Sequence, residues 1–286
     1  MGYLFVVLAS VLFGVVPSLQ EYVLRQEASP LGLVILCNTA ACAAALFAAL
    51  IRRESLRVEG KALLAMVLAG GVGLFLTYFL LNSAYARIPV GLTTMIHFLY
   101  PIVVSIAMIA LFGERLRVFK VAAMLVSFAG LFCLFGGSFG GNKLGLLSAL
   151  ASAFCYAFYV IANDRKPLKD APPMVSVFFI NLSSVAAGLA VHGLTGAAAV
   201  PLAAAALLPG ALAGFMLCAG LILLAAGIKR LGAAKAAFLN MLEPVTSLLV
   251  SALVTRRIPA PLTLLGSLLV LAALTLYARG DRRPGA

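Results

Sequence analysis

Glu243 lies in the stretch Phe238-Leu239-Asn240-Met241-Leu242-Glu243-Pro244, and it is the one charged side chain set deep inside a long apolar run. An ionised group at the centre of a hydrocarbon layer costs about 2.5–3.5 kcal/mol on insertion scales. This carboxyl must therefore be protonated, paired or facing water. Two readings are open: it holds a proton or a substrate ammonium, or it braces its helix beside Pro244. A related arrangement occurs earlier, where His97, Tyr100 and Pro101 stand together. Proline has no N–H, so Pro101 removes the helical donor for the His97 carbonyl and Pro244 does the same for Asn240. Kinked helices with free backbone groups line polar cavities inside membranes. The same kinks can serve packing alone, with Ser or Thr neighbours satisfying the carbonyls. Pro17 marks a further kink or hinge position. His97 reads first as a hydrogen-bonded core histidine and second as a proton carrier.

Two polar stripes point the same way. Ser152, Tyr156, Tyr159 and Asn163 recur at helical intervals on one face, as do Tyr78, Asn82 and Tyr85. The candidate substrate or proton site is thus Glu243, Asn240, His97, Tyr100, Tyr78, Asn82, Tyr156, Tyr159 and Ser152. Any one tyrosine can instead be an interfacial anchor, and Tyr85 is read so. Tyrosine faces attract cations, and no apolar run carries Lys or Arg near its centre, so zwitterions or cations fit better than anions. Asn38 and Asn181 are expected to hydrogen-bond between helices. The glycine cluster at 136–141 lacks the lysine of a phosphate-binding loop. The five cysteines show no Cys-x-x-Cys and no clustering with His. No catalytic residue, metal site or cofactor is expected, and any driving energy must come from a gradient.

The elements that would position these residues follow from composition. The chain is 64% hydrophobic and 10% charged, with a mean hydropathy of +1.13. A soluble domain carries roughly 25% charged residues, so lipid is the solvent that fits. A net charge of +12 could suggest nucleic acid, but the basic residues sit in short clusters between apolar runs, and nucleic acid is excluded as a partner. A spanning helix needs about 20 mostly apolar residues. Ten such runs are expected, at 2–20, 31–51, 62–86, 90–112 and 119–135, then 143–162, 174–192, 203–228, 233–254 and 261–278. The start at Met1-Gly2-Tyr3-Leu4 has no basic n-region, so the first run is expected to remain as a helix. Of the 21 Lys and Arg residues, 16 fall on the side shared by both termini, which by the positive-inside rule is cytoplasmic.

Sliding the chain by 143 residues lays Pro30 on Pro173, Asn38 on Asn181, Gly71 on Gly214, Arg87 on Arg230 and Pro101 on Pro244. The expected fold is therefore an all-α integral membrane protein, ten transmembrane helices as two inverted five-helix repeats, with units 1–141 and 142–286. Five spans per half invert the second half, and inverted repeats suit alternating access. The segments Tyr85-Ala86-Arg87-Ile88-Pro89-Val90-Gly91, Leu99-Tyr100-Pro101 and Phe112-Gly113-Glu114-Arg115-Leu116, with Lys229-Arg230-Leu231-Gly232-Ala233-Ala234 and Leu242-Glu243-Pro244, resemble the drug/metabolite transporter superfamily. Within it, they are similar to EamA-like ten-helix bacterial carriers. The family often repeats a Gly-Glu-Arg-Leu-like turn in both halves, whereas here the second is Thr255-Arg256-Arg257-Ile258. The resemblance implies a cavity walled by spans 1, 3, 4, 6, 8 and 9, with 5 and 10 peripheral.

The resulting expectation is a secondary, non-enzymatic transporter in the bacterial inner membrane. Its partners would be a small-molecule substrate, membrane lipid and protons as coupling ion; oligomeric state is left open. Its cargo would be an exported small polar metabolite such as an amino acid or related zwitterion. An importer or exchanger of organic cations is the nearest rival. A non-transporting assembly protein or a lipid-acting enzyme is the rival from another class.

Overall fold

A computed structural model of the chain describes residues 1–26, 28–114, 118–135, 142–196, 204–255 and 260–281. The glycine cluster at 136–141, Arg115 and Leu116, and residues 256–258 lie outside them. All regular structure among the described residues is helical: α1 (Gly2–Arg25), α2 (Pro30–Ile51), α3 (Gly60–Leu68), α4 (Leu76–Tyr85), α5 (Val90–His97), α6 (Tyr100–Phe112) and α7 (Val118–Phe135). The second half supplies α8 (Lys143–Asp164), α9 (Pro173–Thr195), α10 (Ala204–Leu231), α11 (Ala233–Leu239), α12 (Glu243–Thr255) and α13 (Pro261–Asp281). A wide π-helical turn, Ala69–Phe75, joins α3 to α4, and a 3-10 turn, Asn240–Leu242, joins α11 to α12. Seven helical stretches are long and apolar enough to cross a membrane, and Val118–Leu134 and Pro261–Tyr277 are shorter apolar helices.

Local sequence explains where these elements start and stop. The Ser29 hydroxyl accepts from Gly32 N–H at 2.9 Å and Pro30 occupies the first turn of α2, where a missing N–H costs nothing. Asn142 caps α8 through Leu144 N–H at 2.8 Å. Both proline motifs divide a helix instead of merely bending it. Pro101 sits in the first turn of α6, directly after the break at Phe98 and Leu99. Pro244 is the second residue of α12, directly after the 3-10 turn. Gly73 lies in the π turn against Tyr159 of α8, where an added Cβ would come within 3.0 Å of the Tyr159 Cβ. Gly232, with φ of +84°, makes the tight turn between α10 and α11 that a side chain would strain.

The packing has a regular scheme. The helix α1 runs against α10 and α12, α8 runs against α4, α5 and α6, and α2 packs on α9 and α10. The wide turn and α3 also meet α9, while α7 and α13 pair chiefly with each other, α7 touching α5 and α13 touching the 3-10 turn. Large apolar side chains such as Leu111, Phe154, Leu253 and Leu268 point outward. That surface is unsuited to water, and a lipid belt supplies its solvent. One expectation is corrected here: Asn38 and Asn181 do not bond between helices. Each donates from Nδ2 to a carbonyl in the preceding turn of its own helix, Val34 at 2.8 Å and Val177 at 2.7 Å. An i−4 carbonyl is always in reach of a short polar side chain on a helix, so it captures the amide first.

Candidate functional site

A cavity of about 450 Å³, open mouth included, lies among α1, α4, α5, α8, α10 and α12. Those elements belong to the first, third, fourth, sixth, eighth and ninth predicted spans, and no lining residue comes from α7 or α13. Glu243, His97, Tyr78, Tyr156 and Pro17 line it, joined by Gln20, Thr77 and Tyr85 and an apolar wall of Phe13, Val16, Leu81 and Leu217. The lining contains one acid and no Lys or Arg.

A second group of expected residues stands behind this surface and holds it in place. Asn240 is wholly buried, and its Nδ2 donates to Glu243 Oε2 and to the Tyr100 hydroxyl, both at 3.1 Å. Its Oδ1 lies 2.9 Å from Ser10 Oγ, whose one proton is shared with the Val6 carbonyl, also at 2.9 Å. Tyr100 passes its own proton to the Ala237 carbonyl at 3.3 Å. Both amide protons and the amide oxygen of Asn240 are thus in use, which fixes the direction of the side chain. One carboxylate oxygen of Glu243 is held, and the group faces the cavity. Thr246 ties the same helix back to α1: its Oγ1 lies 3.0 Å from Ser10 O and 2.8 Å from Glu243 O, and its one proton is shared between those two carbonyls.

His97 is held from α8. Its Nδ1 lies 2.9 Å from Ser152 Oγ, and Ser152 donates to the Ala149 carbonyl at 2.6 Å. A serine has one proton, and the carbonyl can only accept. His97 Nδ1 is therefore the donor of this pair, and in the neutral ring that leaves the accepting lone pair on Nε2. His97 is thus a buried, hydrogen-bonded histidine, as the first of its two readings expects, and its ring is part of the cavity lining. Tyr156 lies edge-on to Tyr100 with centroids 4.7 Å apart and is stacked on Tyr159 at 5.7 Å. The His97 ring sits 5.4 Å from Tyr156. Rigid aromatic packing of this sort presents ring faces without side-chain entropy to lose.

The structure does not bring every expected residue to the cavity. Asn82 is buried, its amide has no protein partner, and it is absent from the lining. Tyr159 and Asn163 are buried behind Tyr156, with Asn163 Nδ2 donating to the Tyr159 carbonyl at 2.9 Å. Tyr85, read as an interfacial anchor, lines the cavity and lies 3.5 Å from Thr94 Oγ1. The sequence reading passed over Gln20 and Thr77. Thr77, Leu81, Tyr85 and Tyr78 fall within about 100° of one another at 3.6 residues per turn, and Asn82 lies about 40° beyond Tyr78. Extending the stripe towards Leu81 would have found that face. Gln20 lies three residues after Pro17, within one helical turn, and that spacing was the available signal.

A larger space of about 710 Å³ adjoins the cavity, lined by Pro17, Glu21, Leu24, Arg25, Ala28, Pro30, Tyr85 and Ala86. Pro17 and Tyr85 border both spaces, so the two meet there. Together they lead to the face opposite the N-terminus of α1.

Comparison with known proteins agrees with this architecture. The sequence profile of the EamA-like transporter family matches residues 1–136 and again 143–279. A solved structure titled only as the crystal structure of a protein superposes with a TM-score of 0.82, at 24% identity over 97% of this chain and 98% of the other. At that identity the likeness concerns the fold. Among curated protein sequences, none matches the chain.

Proposed function

The chain belongs to the EamA-like transporter family, and from that premise we propose that it is a secondary carrier exporting a small polar metabolite with an ammonium group, such as an amino acid or related zwitterion, by alternating access. The observation that carries this reading is the cavity lining: one carboxylate, an imidazole lone pair, tyrosine faces and no basic residue. Glu243 would take the ammonium or, between cargoes, the coupling proton. His97 Nε2 would accept a second N–H, and Tyr78 and Tyr156 would offer their ring faces to the cation. Gln20 and Thr77 add polar contacts for the other end of the molecule.

The inverted ten-span architecture also belongs to this proposal, with units 1–141 and 142–286 and both termini cytoplasmic in a bacterial inner membrane. Packing supports it. Under the shift of 143 residues, the α1–α10 pair maps onto α8–α4, and α2–α10 maps onto α9 with the wide turn. The pairs α2–α9 and α7–α13 map onto themselves. A chain whose halves fold alike about an axis in the membrane plane produces such an exchange.

The nearest rival is uptake or exchange of organic cations, favoured by the absence of any basic group for a carboxylate. Flux in proteoliposomes separates the two. Amino acids, their deaminated analogues and quaternary ammonium compounds are compared, with and without a pH gradient. The reading requires that deamination abolish competition and that a pH gradient alter the flux. Equal competition by the deaminated analogue would end it. Preference for the quaternary compound would transfer the site to the rival.

A further inference from the structure

Among the described residues, a short loop crosses the face that carries the N-terminus, and a single carboxylate holds it. Residues 165–172 fold back over the helix ends, and Leu168, a loop residue, is only 1% exposed within the core cluster. Asp164, the last residue of α8, is 5% exposed. Its Oδ1 receives Lys169 Nζ at 2.8 Å, and its Oδ2 accepts the N–H of Ala233 at the start of α11 at 3.2 Å. Arg165 lies 3.6 Å from the same carboxylate and stacks over the Phe112 ring of α6 at 3.7 Å. Lys229, near the end of α10, donates to the Ala171 carbonyl in the loop. Four helices of the bundle are thus tied through one loop beneath the cavity.

The matched place in the first half is built differently. Under the shift of 143 residues, Asp164 falls on Glu21 and Ala233 falls on Val90, the first residue of α5. Glu21 borders the open vestibule. Its side chain is 44% exposed and, among the described residues, is bonded within its own helix, to Arg25 at 2.7 Å. Pro89, the residue capping α5, supplies no side-chain hydrogen bond to that helix. One end of the molecule has its acid engaged and is closed; the other has its acid turned to water and is open.

We propose that Asp164 and Glu21 are the alternating latches of the carrier: Asp164 holds the face of the N-terminus shut in the present state, and Glu21 engages the start of α5 when the opposite mouth closes. This rests on the alternating-access reading given above. Each closure replaces an exposed carboxylate by one bonded to a helix start and a cation, so the two ends compete on similar terms, and small changes at either latch redistribute the states.

The test uses the full-length chain in native membrane vesicles of both orientations, with Leu81→Cys as the only thiol and a membrane-impermeant maleimide as probe. Leu81 lines the cavity, so its labelling rate from each face reports which mouth is open. The Leu81→Cys protein with Asp164, Lys169 and Glu21 intact should label from the face opposite the N-terminus. Asp164→Asn should raise labelling from the N-terminal face about ten-fold, and Lys169→Gln, at an exposed position that tolerates change, about three-fold in the same direction. Adding Glu21→Gln to Asp164→Asn should reverse that rise. Labelling that ignores both Asp164→Asn and Lys169→Gln would overturn the latch while leaving the carrier reading intact. A rise that Glu21→Gln cannot reverse would remove Glu21 as its counterpart. A cysteine inert from both faces in every variant would remove the aqueous cavity, and with it both the carrier reading and the latches.

Discussion

The break at Phe98 and Leu99 and the break at Asn240–Leu242 occupy matched places in the two halves, and each is followed by a proline. Their geometry is alike and their chemistry is not. The first places a neutral imidazole at the cavity, its tautomer set by Ser152 of α8. The second places a carboxylate there, steadied by Asn240. Asn240 also reaches Tyr100 at the opposite break, so the two interlock through one amide. The same family profile matches both halves, which accounts for the shared backbone, while a few differing side chains give the two breaks unlike chemistry. A ligand ammonium reaching both would meet a carboxylate at one break and a neutral acceptor at the other.

The comparison can be broken most directly at Glu243. Glu243→Gln keeps the shape and the Asn240 contact but removes the titratable charge, and transport should fall by at least about ten-fold while thermal stability holds, because a neutral amide costs less in lipid than a charge. Unchanged flux with unchanged pH dependence would return Glu243 to a bracing role. Asn240→Ala comes next. It strips partners from Glu243, Tyr100 and Ser10 at once, so the protein itself should lose on the order of 2–3 kcal/mol, as buried polar groups lose their bonds. A thermal shift of detergent-purified protein reads this, and a variant as stable as the parent would mean the interlock holds nothing.

His97→Gln tests the other half of the comparison. It should raise the half-saturating substrate concentration several-fold while leaving the maximal rate nearer to normal, because an acceptor for the ligand is lost but the charge site stays. Ser152→Ala should give the same change in weaker form, about two- to three-fold, since it only releases the tautomer. Equal effects on rate and affinity in Ser152→Ala would indicate a packing fault in α8. The smallest effects belong to the prolines themselves. Pro101→Ala and Pro244→Ala each restore a backbone donor in a helix's first turn, where proline is well tolerated, and each should move stability by less than about 1 kcal/mol.

Glu243, His97 and Tyr156 were legible in the sequence because polar groups in apolar runs are rare enough to stand out individually, whereas Tyr159 and Asn163 of the same stripe turn away from the lining. The run boundaries were legible for the same reason, with α1 extending to Arg25 instead of stopping at Gln20. That extension carried Glu21 from an expected loop onto the helix that lines the cavity and its vestibule. What could not be read was the rotational setting of α4. A stripe of Tyr78, Asn82 and Tyr85 has a centre, but periodicity gives no absolute direction for it, and the neighbours turned the face towards Thr77 and Leu81. The back-bonding of Asn38 and Asn181 was equally hidden, since either an adjacent helix or an adjacent turn could have received the amide. Asp164 drew no attention because an acid at a helix end between basic residues looks like an ordinary solvated charge.

The wide turn at Ala69–Phe75 bears on that rotational setting. A π turn accommodates one residue more than an α turn, so the helix after it is out of phase with the helix before it by about 100°. The leading part can keep α9 as its neighbour while Tyr78 and Tyr85 look into the cavity. Chain length in this glycine stretch is therefore a setting as consequential as any cavity side chain. Loss of one residue there, such as the lipid-facing Val72, would leave every binding residue present and point the Tyr78 face at the wrong neighbour.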